Sequence, residues 1–172
     1  MMPTVRSGYF KSFDGVKLFY SIEGRGSPLI FCYGLVCSNL HWTYKIEHFR
    51  HTYEAIWFDY RGHHNSEMPP DIKSLTISNL AMDLGALMDE LGHQKAIFLG
   101  HSMGVNVVLE LYRQRPELFQ GMILANGTAK QPIEAMSGMN LFSGVFKAAH
   151  RVNDYLPHLF SAVWKAQKRN PL

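Results

Sequence analysis

Cysteine is scarce in this chain, with only Cys32 and Cys37 among 172 residues. They stand five apart, and a bridge between them would close a very short loop. That excludes the disulfide framework of a small secreted domain and points to two reduced thiols in a cytoplasmic protein. Long apolar runs are also missing. None approaches the roughly 20 residues that a membrane-spanning helix needs, so stable membrane insertion is not expected. The first residues, Met1-Met2-Pro3-Thr4-Val5-Arg6, lack the basic-then-apolar order of a secretion signal. An excess of one charge is absent too: 17 Lys and Arg face 14 Asp and Glu, a formal net charge of +3. No basic run is interleaved with aromatics, so nucleic acid is not an expected partner. The basic residues near the end, Lys165, Lys168 and Arg169, read as a solvated helix face. There is no internal repeat and no low-complexity tract. What remains is 47% hydrophobic and 18% charged, enough apolar material for the core of one domain.

The apolar residues fall into short runs. Tyr9–Phe13 and Val16–Tyr20 flank Asp14-Gly15, a pair that tolerates positive φ and signals a hairpin. Gly24, Gly26 and Pro28 then break the chain. Leu29-Ile30-Phe31-Cys32-Tyr33 predicts a buried parallel strand, and a loop and helix over Asn39–Arg50 follow. Ala55–Phe58 predicts the next buried strand. Ile77, Leu80, Ala81, Leu84, Leu87, Met88 and Leu91 recur at three, four and seven, which puts them on one face of a helix that Gly92 ends. Ala96–Leu99 predicts a third buried strand, Val105–Gln114 a helix, and Met122–Ala125 a fourth buried strand. A hairpin followed by alternating strands and helices predicts an α/β fold: a parallel sheet with an antiparallel edge. From Gln131 the sequence turns Met-rich and aromatic and reads as short helices. The expected division is 1–130 for the core and 131–172 for the beginning of a helical cap.

One pentapeptide carries chemistry. Gly100-His101-Ser102-Met103-Gly104 lies between a predicted strand and a predicted helix. That places Ser102 at the tip of a sharp turn, where flanking glycines let strand and helix approach. The amide of Met103 falls at a helix N-terminus, which favours developing negative charge. Ser102 is therefore the expected nucleophile of an acyl-transfer site.

Three motifs in order extend this reading: Phe31-Cys32-Tyr33-Gly34-Leu35 with Trp42, then Asp59-Tyr60-Arg61-Gly62-His63-His64-Asn65-Ser66, then the Ser102 turn. Together they resemble the N-terminal portion of the α/β-hydrolase superfamily over residues 9–127, in its serine esterase and lipase-like branch. The resemblance implies an oxyanion hole built from the backbone amides of Leu35 and Met103. It implies hydrolysis of a carboxylic ester or thioester through an acyl-enzyme on Ser102, with a small, hydrophobic acyl substrate and no cofactor or metal. A serine at this position argues against the dehalogenase and epoxide-hydrolase branches, which attack with an aspartate. The alternative is an inactive hydrolase-like binding protein, or an inactive fragment of a longer hydrolase.

Two positions depart from the family pattern. Tyr33 stands where a histidine is usual, which implies altered hydrogen bonding in that loop. His64 stands where a second glycine is usual; if the backbone there needs positive φ, the histidine costs about 1 kcal/mol. Asp59 and Arg61 are expected to brace their loop. His101 is expected to pack beside the turn rather than act as a base. His63 and His64 point apart and would need outside ligands to hold a metal. His48 and His51 read as an exposed helix face near His41. The resemblance places the acid and histidine of a triad after later strands. After Ser102 the only ionisable candidates are Glu110, Glu117, Glu134, His150, Asp154 and His158, none behind a predicted strand, and Asn126 ends the last one. The expectation is a sheet truncated before its last strands.

Overall fold

The computed structural model describes residues 4–35 and 37–128. Six strands form one mixed sheet: β1 (Val5–Lys11), β2 (Lys17–Gly24), β3 (Ser27–Cys32), β4 (Tyr53–Phe58), β5 (Ala96–His101) and β6 (Phe119–Ala125). Their order is β1-β2-β4-β3-β5-β6. The first pairs, β1 with β2 and β2 with β4, are antiparallel, and the rest are parallel. The predicted hairpin is present. Gly15 takes φ 86°, and Asp14 accepts from the Val16 amide at 3.3 Å, which closes the turn.

Three helices flank the sheet: α1 (Thr43–Phe49), α2 (Ile77–Leu91) and α3 (Met103–Gln114). The predicted helix over Asn39–Arg50 divides. Ser38 accepts from the Leu40 amide at 3.3 Å and starts a single 3₁₀ turn over Asn39–Trp42 before α1 begins. Helix α2 starts at Thr76, whose hydroxyl accepts from the Asn79 amide, and ends at Gly92, left-handed at φ 70°. Its periodic residues Leu80, Ala81, Leu84, Leu87 and Met88 are buried, as the spacing requires. Phe31, Ile56, Phe58 and Phe98 from the strands and Val107 and Leu111 from α3 are fully buried with them. Burial of side chains this size stabilises by roughly 1.5–3 kcal/mol each. Among the described residues no helix is long and apolar enough to cross a membrane.

Strand β6 corrects an expectation. It is not a buried strand: Ile123 is 50% exposed and Leu124 42%. It ends the described sheet order and pairs on one side only, with β5. An apolar run of four residues does not say how many neighbours will cover it. The expected cap over 131–172, with Glu134, His150, Asp154 and His158, lies outside the described residues.

Candidate active site

The chain leaves β3 towards β4 on one side of the sheet and returns as β5 on the other. The loops after β3 and β5 therefore diverge from adjacent parallel strands, with Cys32 level with Gly100. Such a switch in strand order opens a crevice at the carboxyl ends of the strands. Ser102 stands there, immediately after β5.

Ser102 has φ 54° and ψ −119°, a conformation costly for any residue with a side chain. Close packing holds it. A Cβ on Gly104 would lie 2.2 Å from the Cys32 carbonyl oxygen, and one on Gly100 would lie 2.7 Å from the Gly104 oxygen. Both glycines are thus needed for strand and helix to meet, as the motif predicts. The Ser102 amide donates to the Ala125 carbonyl at 3.1 Å, which ties the turn to the end of β6. Ser102 occupies the N-cap of α3, where a serine hydroxyl ordinarily bonds a helix amide. Here the hydroxyl makes no capping bond. Met103, the first residue of α3, follows it. Gly34 abuts the serine: a Cβ there would lie 3.0 Å from Ser102 Cβ. Leu35 comes next and is 45% exposed.

His101 packs beside the turn, as expected, and its partner is His41. The rings stack with centroids 4.6 Å apart and planes 27° apart, and Trp42 sets its ring perpendicular to His101 at 6.1 Å. Burial, then the neighbouring His101 and Lys45, lower the His41 pKa. His101 Nδ1 is buried without a hydrogen-bond partner among the described residues. His41 had been grouped with His48 and His51. No short-range signal distinguishes it, because its contact lies 60 positions away.

The two departures from the family pattern have partners. The Tyr33 hydroxyl accepts from the Tyr60 amide at 3.0 Å, and the Tyr60 hydroxyl donates to the Tyr33 carbonyl at 3.0 Å. The rings tilt against each other 4.4 Å apart. Burial pushes the Tyr33 hydroxyl far above the usual phenol range and the Cys32 thiol up to about 12, so neither ionises at neutral pH. His64 does take positive φ, at 47°, and its Nε2 bonds the Cys37 carbonyl at 3.0 Å. His63 turns the other way and its Nδ1 bonds the Arg61 carbonyl at 3.2 Å. Since carbonyls only accept, the two imidazoles carry their donating protons on opposite nitrogens.

Asp59 and Arg61 brace the loop, as expected. Asp59 accepts from Asn39 Nδ2, the Asn65 amide and Asn65 Nδ2, at 3.0–3.1 Å. Arg61 is fully buried and forks onto Asp83 at 2.7 and 2.5 Å. It also reaches Asp14 at 2.8 Å, and Ser12 donates to Asp83. Burial disfavours the guanidinium charge, but the two carboxylates outweigh it and raise the Arg61 pKa. Glu110 and Glu117 pair with Arg113 and Arg115 and leave Ser102 alone. Asn126 has φ 50° at the end of β6.

The alpha/beta hydrolase fold family model matches residues 27–149. Mouse epoxide hydrolase 3 is 27% identical over 148 residues, 85% of this chain and 40% of that protein. RutD of Pseudomonas savastanoi pv. phaseolicola, provisionally named a carbamate hydrolase, is 33% identical over 99 residues, 57% of this chain and 38% of its own length. The crystal structure of epoxide hydrolase VrEH1 from Vigna radiata superposes with a TM-score of 0.68 at 25% identity, covering 79% of this chain and 44% of that one. The chain thus spans about two fifths of the length of these relatives.

Proposed function

We propose, from the premise that this chain belongs to the alpha/beta hydrolase fold family, that Ser102 is an acyl-accepting nucleophile and that the Leu35 and Met103 amides form its oxyanion hole. The observation that carries the reading is the uncapped serine. A side chain held at φ 54°, on a helix N-terminus, with its hydroxyl unspent on that helix, is free to attack. The serine oxygen adds to a carbonyl carbon as its proton passes to a general base and from there to the departing group, and negative charge gathers on the former carbonyl oxygen. Two fixed amides stabilise that charge by several kcal/mol. Collapse expels the leaving group, and water then cleaves the acyl-serine.

The relatives named epoxide hydrolases raise a different substrate. Opening an epoxide with a serine hydroxyl would leave an ether, which offers water no carbonyl to attack. Acyl compounds leave an ester that turns over. Ser102 therefore favours a carboxylic ester or thioester. A small, apolar acyl group suits the exposed Leu35 beside the serine. Two free cysteines favour a cytoplasmic setting.

A second reading is a hydrolase-like binding protein without turnover. It is favoured by the stack of His101 on His41, which leaves neither imidazole bonded to Ser102 among the described residues. A fluorophosphonate probe applied to the full chain separates the two. Phosphonylation, with loss of fluoride, should label the Ser102 peptide and vanish in Ser102→Ala. A folded chain that takes no label supports the binding reading. Label that survives Ser102→Ala overturns the assignment of the nucleophile.

A further inference from the structure

We infer that His64 is a positioning residue for the oxyanion turn, acting through the Cys37 carbonyl; this rests on the reading of Leu35 as an oxyanion donor given above. His64 holds a left-handed backbone at φ 47°, where a glycine would rest without strain. The side chain is thus retained against a backbone cost, and its contacts show what it does there.

His64 Nε2 lies 3.0 Å from the Cys37 carbonyl oxygen, across 27 positions of sequence. The Cys37 amide in turn donates to the Gly34 carbonyl at 3.2 Å. One residue is therefore gripped on both its backbone groups: its N–H closes the turn that begins at Gly34, and its C=O is held by the imidazole. Leu35 is inside that turn. Gly34, its first residue, leaves no room for a side chain beside Ser102, since a Cβ there would lie 3.0 Å from Ser102 Cβ, so a shift of the turn alters the distance between donor and nucleophile. Asn39 bonded to Asp59 pins the same segment further along. With the paired bonds of Tyr60 and Tyr33, the loop after β4 thus holds the loop after β3 at three points.

The other departure from the family pattern belongs to the same arrangement. The Tyr33 ring meets His64 edge-on at 6.0 Å and packs against Tyr60 on its other side. The tyrosine immediately before Gly34 and the histidine that holds Cys37 are neighbours in space. The two unusual residues form one support under the turn, built from hydrogen bonds and ring edges.

A residue that only stabilised its loop would change folding and leave the chemistry alone. A positioning residue does the reverse. His64→Gly loses the bond to Cys37 and the ring contact with Tyr33 but relieves backbone strain, and these effects oppose each other, so the thermal midpoint should move by less than about 5 °C. The maximal rate of phosphonylation by the fluorophosphonate should fall roughly tenfold or more, with little change in probe affinity, because a misplaced donor weakens only the transition state. Hydrogen exchange at the Cys37 amide should quicken. His64→Gln, whose amide can donate from a similar reach, should recover part of both. Unchanged exchange in His64→Gly overturns the proposal, and so does faster exchange with an unchanged phosphonylation rate. If Ser102→Ala shows that the label is not on Ser102, the nucleophile reading fails, and exchange at Cys37 still decides whether His64 holds the turn.

Discussion

At Arg61 the loop after β4 is held by ion pairs; three residues later, at His64, it is held by a hydrogen bond to a backbone carbonyl. Arg61 points into a buried cluster with Asp83, Asp14 and Ser12, joining the first hairpin to α2. His64 and Tyr33 face the turn beside Ser102 and use carbonyls, a hydroxyl and an amide. Buried charge fixes a framework rigidly because any loss of a partner is severe. Hydrogen bonds to backbone groups instead tie this loop to the turn beside Ser102. Within eight residues, Asp59 to Ser66, one part of the loop is thus joined to the framework and the other to that turn.

The largest effect is expected on the charged side. Arg61→Met should cost about 3–5 kcal/mol in urea unfolding at neutral pH, because Asp83 is left buried without its partner. Adding Asp83→Leu should recover much of that. A single substitution costing under about 1 kcal/mol would remove the framework role assigned to the cluster. On the hydrogen-bonded side, Tyr33→Phe takes the acceptor from the buried Tyr60 amide and should cost about 1–3 kcal/mol. If Tyr33→Phe proves as damaging as Arg61→Met, the contrast between the two regions collapses.

The smallest effect lies outside both and sets the scale. The Arg113 hydrogen bond holds Glu110 down to about 2, below its ordinary 4.5. A depressed carboxylate stabilises fully above its unfolded value and loses that contribution as pH falls from about 4.5 towards 2. The pair sits on the surface of α3, so Glu110→Gln should flatten the acid limb by less than about 1 kcal/mol. Burial raises Asp14, but Arg61 outweighs it and holds the carboxyl below its ordinary value. Asp14 therefore loses its contribution in acid as well, and Asp14→Asn should flatten the limb in the same sense.

Much of this architecture is legible in the sequence because it depends on local signals. Asp14-Gly15, the α2 periodicity closed by Gly92, and the glycines around Ser102 each act within a few residues. The position of Ser102 was readable for the same reason: the strain at the turn demands small residues at fixed offsets. The rest depends on distance in space. Nothing near Tyr33 announces that its hydroxyl will find the amide 27 positions on, and nothing near His41 announces the ring of His101. Leu124 looks like a core residue until its strand proves to lack a second neighbour among the described residues. Asp83 is buried on α2 among its apolar residues, and nothing near it in the sequence announces Arg61, 22 positions away.

The bond from the Ser102 amide to Ala125 carries a further consequence. It hangs the turn that carries Ser102 on β6, a strand the chain reaches only after the whole of α3. A displacement of Ala125 is thereby passed straight to the backbone nitrogen of Ser102, by a route that bypasses β5 and the helix between them.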